Sequence, residues 1–189
     1  MGRPVSRFLE GCMVAMDGAH AEELLADLDS ASAELEQAAD RGWERGIEGK
    51  WTAGEHVAHV AATMAEAAET FEKAASLHRA GFLPRRPPRG PMQWLWVHLV
   101  IAPGRLPRGG KTAARFVPAT HPERERTLHA LHAAMERHRG LTLGLIAPER
   151  DRLWIPNPFL PRWHYTLPEM LRVHAVHARH HAKLIAEIP

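Results

Sequence analysis

Three stretches of the chain carry the same helix-start pattern, Thr-x-x-Glu, and this pattern constrains the fold more than any other feature. They occupy residues 52–55, 120–123 and 166–169. In such a capping box the threonine hydroxyl accepts a hydrogen bond from the amide three residues later, and the glutamate reaches back to the threonine amide. Pro122 and Pro168 fall in the first turn, where a missing N–H leaves no helical bond unmade. Helices are therefore predicted to begin at these three points.

Apolar residues recur at helical spacing in four segments, which predicts helices over residues 19–39, 53–79, 122–145 and 168–188. Alanine and leucine are abundant, whereas the chain has only five phenylalanines and one tyrosine. A large β-sheet therefore has little material to build from. At 189 residues the chain can bury one hydrophobic core. We predict an all-α fold, with a single helical domain over residues 1–189.

A long insertion rich in proline, glycine and arginine separates the second and third predicted helices, over residues 81–119. Its apolar part, residues 94–101, is predicted to form a short helix across the bundle. No acidic residue occurs from Lys73 through Pro122. A second irregular stretch, residues 148–165, is predicted to form packed loops around its aromatic residues, as a rim or a lid. Connections this long in a compact domain are usually functional or disordered.

Compartment and partners follow from what the chain lacks. Its one cysteine, Cys12, cannot form an intramolecular disulfide and fits a reducing compartment. The longest apolar stretch, residues 94–102, is interrupted by His98 and is far shorter than the ~20 residues of a membrane span. No signal peptide is recognisable at the N-terminus. We expect a cytoplasmic protein without a membrane partner, and the formal charge of +2 argues against a nucleic-acid partner.

Histidine is unusually frequent, with fourteen residues, but only spacing can indicate a site. His177 and His181 are four residues apart on the last predicted helix, so their Cβ atoms lie about 5–6 Å apart on one face. Two nitrogens bound to one tetrahedral ion are roughly 3.3 Å apart, a gap that these side chains can close. His180 lies about 100° round the helix, and His174 lies at the edge of the same stripe. Such pairs also occur without metal, so a third ligand is required.

His59 is the candidate for that third ligand. It lies on the apolar stripe of the second predicted helix, beside Val60, and His56 is an outer partner or a surface residue. A buried, metal-free His59 needs a hydrogen-bond partner, and the neighbouring sequence offers no obvious one. The histidines of the third predicted helix have no partner at metal-binding spacing and are interpreted as surface or packing residues: His129, His132 and His138.

Two motifs around these histidines resemble a known family. The run Trp51-Thr-Ala-Gly-Glu-His-Val-Ala-His59-Val resembles the segment that opens the second helix of the DinB/YfiT-like metalloenzymes. The run His177-Ala-Arg-His-His181-Ala-Lys-Leu-Ile185 resembles the family's closing motif, although Leu184 stands where the family has glutamine. Asn157-Pro-Phe also resembles the lead-in to the last helix of some members. The insertion over residues 81–119 is not part of the common pattern.

The resemblance implies a four-helix up-and-down bundle that holds a divalent ion between its second and fourth helices. Its metal ligands would be His59, His177 and His181, with one position open to water or substrate. Known activities of the family are thiol-linked and include S-transferases using bacillithiol-type thiols and a mycothiol-dependent maleylpyruvate isomerase. The resemblance therefore implies a small-molecule substrate, a low-molecular-weight thiol as cofactor and a homodimer.

Three neutral imidazoles leave the full charge of an ion to its fourth ligand, so either a bound water or a thiol is activated at neutral pH. Zinc and nickel are the leading candidates for the ion, with iron as a further one. The residues alone do not choose between water and thiol activation, and the family resemblance favours a thiol-dependent transferase or isomerase. A metal-dependent hydrolase, a metal-free interaction module and a non-catalytic bundle, with His98 or His174 as a fourth ligand, remain open. No catalytic residue is assigned, because capping explains Glu55 and Glu169.

The acid-free insertion offers cationic contacts for an acidic thiol or substrate, although a solvated basic loop is the preferred explanation. The candidates are Arg85, Arg86, Arg89, Arg105, Arg108 and Arg115. Four tryptophans are predicted either to wall a pocket or to pack the loops onto the bundle: Trp94, Trp96, Trp154 and Trp163.

Overall fold

The computed structural model describes residues 18–82, 85–104, 106–107, 109, 112–157 and 162–189. Most of these residues are helical, which confirms the predicted all-α class. In chain order the elements are α1 (Gly18–Ala39), α2 (Ala53–Arg79), α3 (Pro91–Trp96), a π-helical turn (Val97–Ile101), a 3₁₀ turn (Ala114–Phe116), α4 (Arg124–Leu143), α5 (Ala147–Arg152), β1 (Trp154–Pro156), β2 (His164–Thr166) and α6 (Leu167–Ala186). Cys12 lies outside the described residues.

The four long helices share one apolar core. Helix α1 packs mainly against α6, helix α2 packs mainly against α4, and α2 also contacts α6. The leucines of α1 recur on one face because positions four and seven residues apart coincide on a helix. Burying each such side chain contributes about 1.5–3 kcal/mol. The largest fully buried side chains of this core are Leu28, Leu35, Met64, Leu131, Leu171 and Ile185.

A second apolar cluster lies where the hairpin β1–β2 packs against α2 and α6. The two strands are antiparallel, with Ile155 opposite Tyr165. Phe71 of α2 is fully buried in this cluster. The prediction of irregular loops over residues 148–165 was wrong in part, because α5 and the hairpin occupy much of this stretch. Strands of three residues are too short to show an alternating pattern.

Two of the three predicted capping boxes stand at helix starts. Thr52 Oγ1 accepts from the amide of Glu55 at 3.2 Å, and the amide of Thr52 donates to Glu55 Oε2 at 2.7 Å. Helix α6 begins after Thr166, whose amide donates to Glu169 Oε2 at 2.9 Å. The predicted start of α2 is therefore confirmed, and α6 begins at Leu167, one residue before the prediction.

The middle capping box was predicted wrongly. Helix α4 begins at Arg124, and the carboxylate of Glu123 caps it by accepting from the amides of Glu125 and Arg126 at 2.8 and 2.6 Å. The carbonyl of Pro122 instead accepts from Trp43 Nε1 at 2.7 Å. This bond holds Pro122 outside the helix. The N-cap residue is therefore Glu123 rather than Thr120.

The insertion folds back onto the bundle. Its apolar segment is helical as predicted, over α3 and the π-helical turn, and this turn contacts α6. Gln93 is buried and donates to the carbonyl of His164 in β2. Ile101 and Phe116 are each 3% exposed, so both ends of the segment between them are anchored in the protein. Of the helices that the described residues form, none has the length and apolar character needed to cross a bilayer.

Candidate metal centre

The structure brings the three predicted ligands together. Nε2 of His177 lies 3.2 Å from Nε2 of His59 and 3.0 Å from Nε2 of His181. The three ligand atoms all lie within 4.8 Å of one another. Nitrogens around a tetrahedral ion are separated by roughly 3.3 Å, so this spacing matches a shared ion. The cluster could therefore hold a metal ion.

Two helices position these rings. His177 and His181 are one turn apart on α6, and His59 projects from α2 about two turns after its capping box. Gly54, inside that box, lies beneath Trp43, where an added Cβ would be 2.4 Å from the indole nitrogen. Trp51 covers the cluster, with its ring centroid 4.9 Å from that of His59. These contacts hold the start of α2 in place and thereby fix the position of His59 relative to α6.

The Nδ1 atom of His59 points away from the cluster. It donates to the carbonyl of Phe116 at 2.8 Å. Because a carbonyl can only accept, Nδ1 must carry the proton, and Nε2 of a neutral ring then offers a lone pair. This partner, 57 residues later in the chain, is one that sequence analysis did not find. Every residue has a backbone carbonyl, so the sequence does not show which one accepts this bond.

The other two rings also have partners at Nδ1. His177 Nδ1 lies 3.5 Å from Thr63 Oγ1, whose own proton is donated to the carbonyl of Val60 at 2.8 Å. That hydroxyl therefore accepts from His177. His181 Nδ1 lies 2.8 Å from Nδ1 of His56, which confirms His56 as an outer partner. Such bonds to the second nitrogen fix the orientation of metal-binding histidines and raise their basicity.

These partners test whether the residues fit a metal ion. With every proton on Nδ1, the Nε2 lone pair of His177 faces those of His59 and His181 at 3.2 and 3.0 Å. In the metal-free protein, a proton moved to His177 Nε2 can be donated to only one neighbour, either His59 or His181. A single cation between them satisfies all three lone pairs at once. The donor set and its outer partners therefore fit a divalent ion.

Burial keeps the rings neutral. It lowers the pKa of His177 to about 3 and that of His56 to about 4, with repulsion from neighbouring histidines as a second cause. Burial also lowers the pKa of His181. It lowers the pKa of His59 as well, and there the hydrogen bond to the Phe116 carbonyl has a smaller, opposing effect. Protons compete with metal for histidine, so neutral rings favour binding at pH 7.

The two histidines considered as a fourth ligand lie elsewhere. His98 is exposed and packs its ring against Trp94, with centroids 4.4 Å apart. His174 is buried with its ring centroid 4.8 Å from that of His138, a fully buried residue of α4. Within the described part of the chain, the cluster of ligand atoms comprises only the three predicted histidines. His138 is a packing residue, whereas His129 and His132 are exposed, as predicted.

The three ligands line a cavity of about 1000 Å³. The insertion, the hairpin and α6 supply its apolar walls: Trp96, Ile101, Leu106, Phe116, Ile155, Met170, Val173 and Leu184. Of the four tryptophans considered for a pocket wall, Trp96 lines this cavity, whereas Trp94 is 54% exposed. Trp163 packs against Trp96 at 6.0 Å between centroids, and Trp154 packs against His164.

Two of the arginines considered as anion ligands are bound to carboxylates instead. Arg89 forms an ion pair with Glu169 of α6. Arg115 Nε lies 3.0 Å from Glu66 Oε2. Arg105 and Arg108 lie outside the described residues.

Comparisons of the chain with protein families, curated proteins and solved structures find no match.

Proposed function

We propose that the chain binds a divalent ion through His59, His177 and His181 and acts as a metal-dependent enzyme of the DinB-like type. The observation that carries this proposal is the convergence of three Nε2 lone pairs on the wall of a large cavity. Zinc or nickel suits three imidazoles best, with iron as a further candidate. The four long helices would then form the up-and-down bundle that the sequence resemblance implies.

The open side of the cluster favours an enzyme over a closed metal-binding module. Within the described residues, no fourth carboxylate, thiol or imidazole joins the three ligands. A structural ion is normally enclosed by four protein ligands, whereas a catalytic ion keeps a position for water or substrate. When bound, the ion supplies the positive charge that lowers the pKa of a coordinated water or thiol.

Neighbouring residues of the chain orient the histidine rings around that position. The carbonyl of Phe116 and the hydroxyl of Thr63 hold the protons of two rings outward, so that their Nε2 atoms face the open side. Trp51 and the apolar cavity wall lie beside the cluster. The reaction that we propose is an S-transfer or isomerisation with a low-molecular-weight thiol. A metal-dependent hydrolysis is the second candidate, since the same open position serves water.

Metal content tests the binding half of the proposal. Protein purified without a histidine tag and reloaded with zinc or nickel should hold one ion per chain by elemental analysis. His177→Ala should lose most of this ion because it removes the central ligand, whereas His129→Ala, an exposed histidine of α4, should retain it. Equal metal content in the wild type and in His177→Ala would overturn the proposal.

Turnover tests the catalytic half. The metal-loaded protein is screened with small thiols against electrophilic substrates, and with esters and amides in the absence of thiol. Wild-type protein should turn over one class at least 100-fold faster than His177→Ala or protein treated with chelator. Turnover without thiol would favour the hydrolase. Equal rates in wild type and variant would show that the ion has no catalytic role.

A further inference from the structure

The cavity beside the metal centre is elongated. On α2 its lining residues extend from His56 to Thr70, and on α6 they extend from Met170 to Leu184. Each of these spans covers 15 residues, whose 14 steps correspond to about 21 Å of helix at 1.5 Å per residue. The cavity is therefore a groove that follows two packed helices rather than a round pocket above the ligands.

The metal cluster lies towards one end of this groove. His59 is three residues from His56 but eleven from Thr70, and His181 is three residues from Leu184 but eleven from Met170, whereas His177 lies midway along the α6 span. These separations leave a long arm of about 10–16 Å on the side of Thr70 and Met170. The short arm on the other side ends at the exposed residues Lys50 and Glu187.

The long arm offers mainly apolar surface. Trp96 and Ile101 reach it from the insertion, and Ile155 and Val173 reach it from the hairpin and α6. Glu66 binds Arg115 and the side chain of Asn157 bonds to that of Tyr165, whereas the buried ring nitrogens of His174, which also lines this arm, have no hydrogen-bond partner among the described residues. A ligand in this arm gains from burying hydrocarbon rather than from making charged contacts.

We propose that the substrate is an elongated, apolar molecule that ends in one anionic, metal-coordinating head group, such as a carboxylate or a thiolate. The head lies at His59, His177 and His181, and the hydrocarbon body fills the long arm. A volume of about 1000 Å³ is at the upper end of the range for small-molecule sites, so a short metabolite would leave most of the groove empty. This inference rests on the proposed metal binding.

Straight-chain carboxylates of increasing length test the inference directly. Butanoate, octanoate and dodecanoate are titrated into zinc-loaded protein by calorimetry. Each buried methylene should raise the affinity by up to about fourfold, so octanoate should bind at least tenfold more tightly than butanoate. The heat-capacity change should become more negative with length. Affinities that do not depend on chain length would overturn the inference.

Two variants that fill the long arm locate the binding site. Val173→Trp from α6 and Thr70→Trp from α2 should each weaken dodecanoate binding at least tenfold and leave butanoate and zinc binding unchanged. Val117→Trp is the matched control, because Val117 is 53% exposed and does not line the cavity. Zinc binding reports that each variant is folded. Tight dodecanoate binding by both arm variants would place the ligand elsewhere and overturn the inference.

The failure of this inference can be told apart from the failure of the proposed function. A wild-type protein that takes up no zinc contradicts the metal proposal before any carboxylate is added. A protein that holds zinc but binds all three carboxylates equally contradicts only the substrate class. Carboxylate binding that survives removal of zinc by chelator shows that the head group does not lie on the metal, and it overturns the placement.

Discussion

His177 has neighbours on both sides of its ring. Its Nε2 lies about 3 Å from the other two ligand nitrogens, while its Nδ1 lies 3.5 Å from the hydroxyl of Thr63. The hydroxyl proton is donated to the carbonyl of Val60, which leaves the Thr63 oxygen free to accept. A single hydroxyl thereby keeps the proton of the central ring away from the metal position.

Thr63→Val should weaken zinc binding by about tenfold, because it removes the acceptor that holds His177 in the ligating tautomer and orientation. Valine has nearly the same shape, so the fold should persist. Competition with a chromophoric chelator measures the change. Thr63→Ser keeps the hydroxyl and should bind zinc like the wild type. If the valine variant matched the serine variant, the hydroxyl would have no part in tuning the site.

A second pair of histidines lies away from the ligands. His138 is fully buried, its Nε2 bonds to the carbonyl of Met64 at 3.1 Å, and burial lowers its pKa to about 4. The unfolded chain has a histidine pKa near 6.5. Between these values the unfolded state binds a proton that the folded state does not, so stability falls as the pH falls.

His138→Leu should flatten the acid side of the stability profile in metal-free protein. Wild-type protein should lose roughly 2 kcal/mol at pH 5 relative to pH 7 through His138 alone, and the variant should be spared that loss. Urea unfolding at the two pH values gives the free energies. The matched control, His129→Leu, changes an exposed residue of the same helix and should follow the wild type. An unchanged difference in His138→Leu would show that this ring does not titrate on unfolding.

At this scale the sequence predicted the three candidate ligands and named His56 as an outer partner or a surface residue, but it did not predict the partners Phe116 and Thr63. His177 and His181 could be found because helical spacing places them on one face, and His59 because it interrupts an apolar stripe. The Phe116 carbonyl could not be found, since its position depends on how the insertion folds back. The pairing of His138 with His174 joins two helices, and no local spacing encodes it.

Among the helices, the start of α4 shows how tertiary contacts override a local pattern. Residues 120–123 match a capping box, yet the bond from Trp43 to the carbonyl of Pro122 holds the chain outside the helix. The negative carboxylate of Glu123 then caps two amides and also favours the positive end of the helix dipole. The pattern predicted a helix correctly but placed its first residue too early.

Glu123→Ala should lower the free energy of unfolding by about 1 kcal/mol, because it leaves the amides of Glu125 and Arg126 without their cap. Thr120→Ala should have no measurable effect, since Thr120 is exposed and lies outside the helix. Thermal or chemical unfolding compares the two variants. The reverse order of effects would restore the capping box at residues 120–123.

The elements that escaped prediction are the shortest ones. The helices α2 and α6 were predicted within a residue or two because each has a capping box and a long periodic stripe. The three-residue strands are stabilised by packing on Phe71 and its neighbours, and the six-residue α5 packs against α6 and β2. Tertiary burial therefore decides such elements, and one sequence does not show it.

For the whole molecule, the bond between Phe116 and His59 would link the insertion thermodynamically to the proposed metal centre. The carbonyl of Phe116 bonds to His59, and the same phenylalanine is buried against the bundle. If this bond favours metal binding, metal binding must favour the bond by an equal free energy. The ion would therefore help to hold the insertion in place through His59.

Limited trypsin digestion should detect this linkage. Cleavage after Arg115 requires the segment around Phe116 to leave the bundle, and such opening is less frequent when a ligand favours the closed state. Zinc should slow this cleavage at least tenfold in the wild type and leave it unchanged in His177→Ala. Mass spectrometry of the fragments gives the rate. Equal rates with and without zinc in the wild type would show that the two regions are independent.

The hydrogen bond between Phe116 and His59 also has a consequence for the lifetime of the protein in a cell. A chain starved of its ion would open the segment around Phe116 more often and present it to proteases. Degradation would then follow the supply of the metal, so that copies that never receive an ion are removed and loaded copies persist.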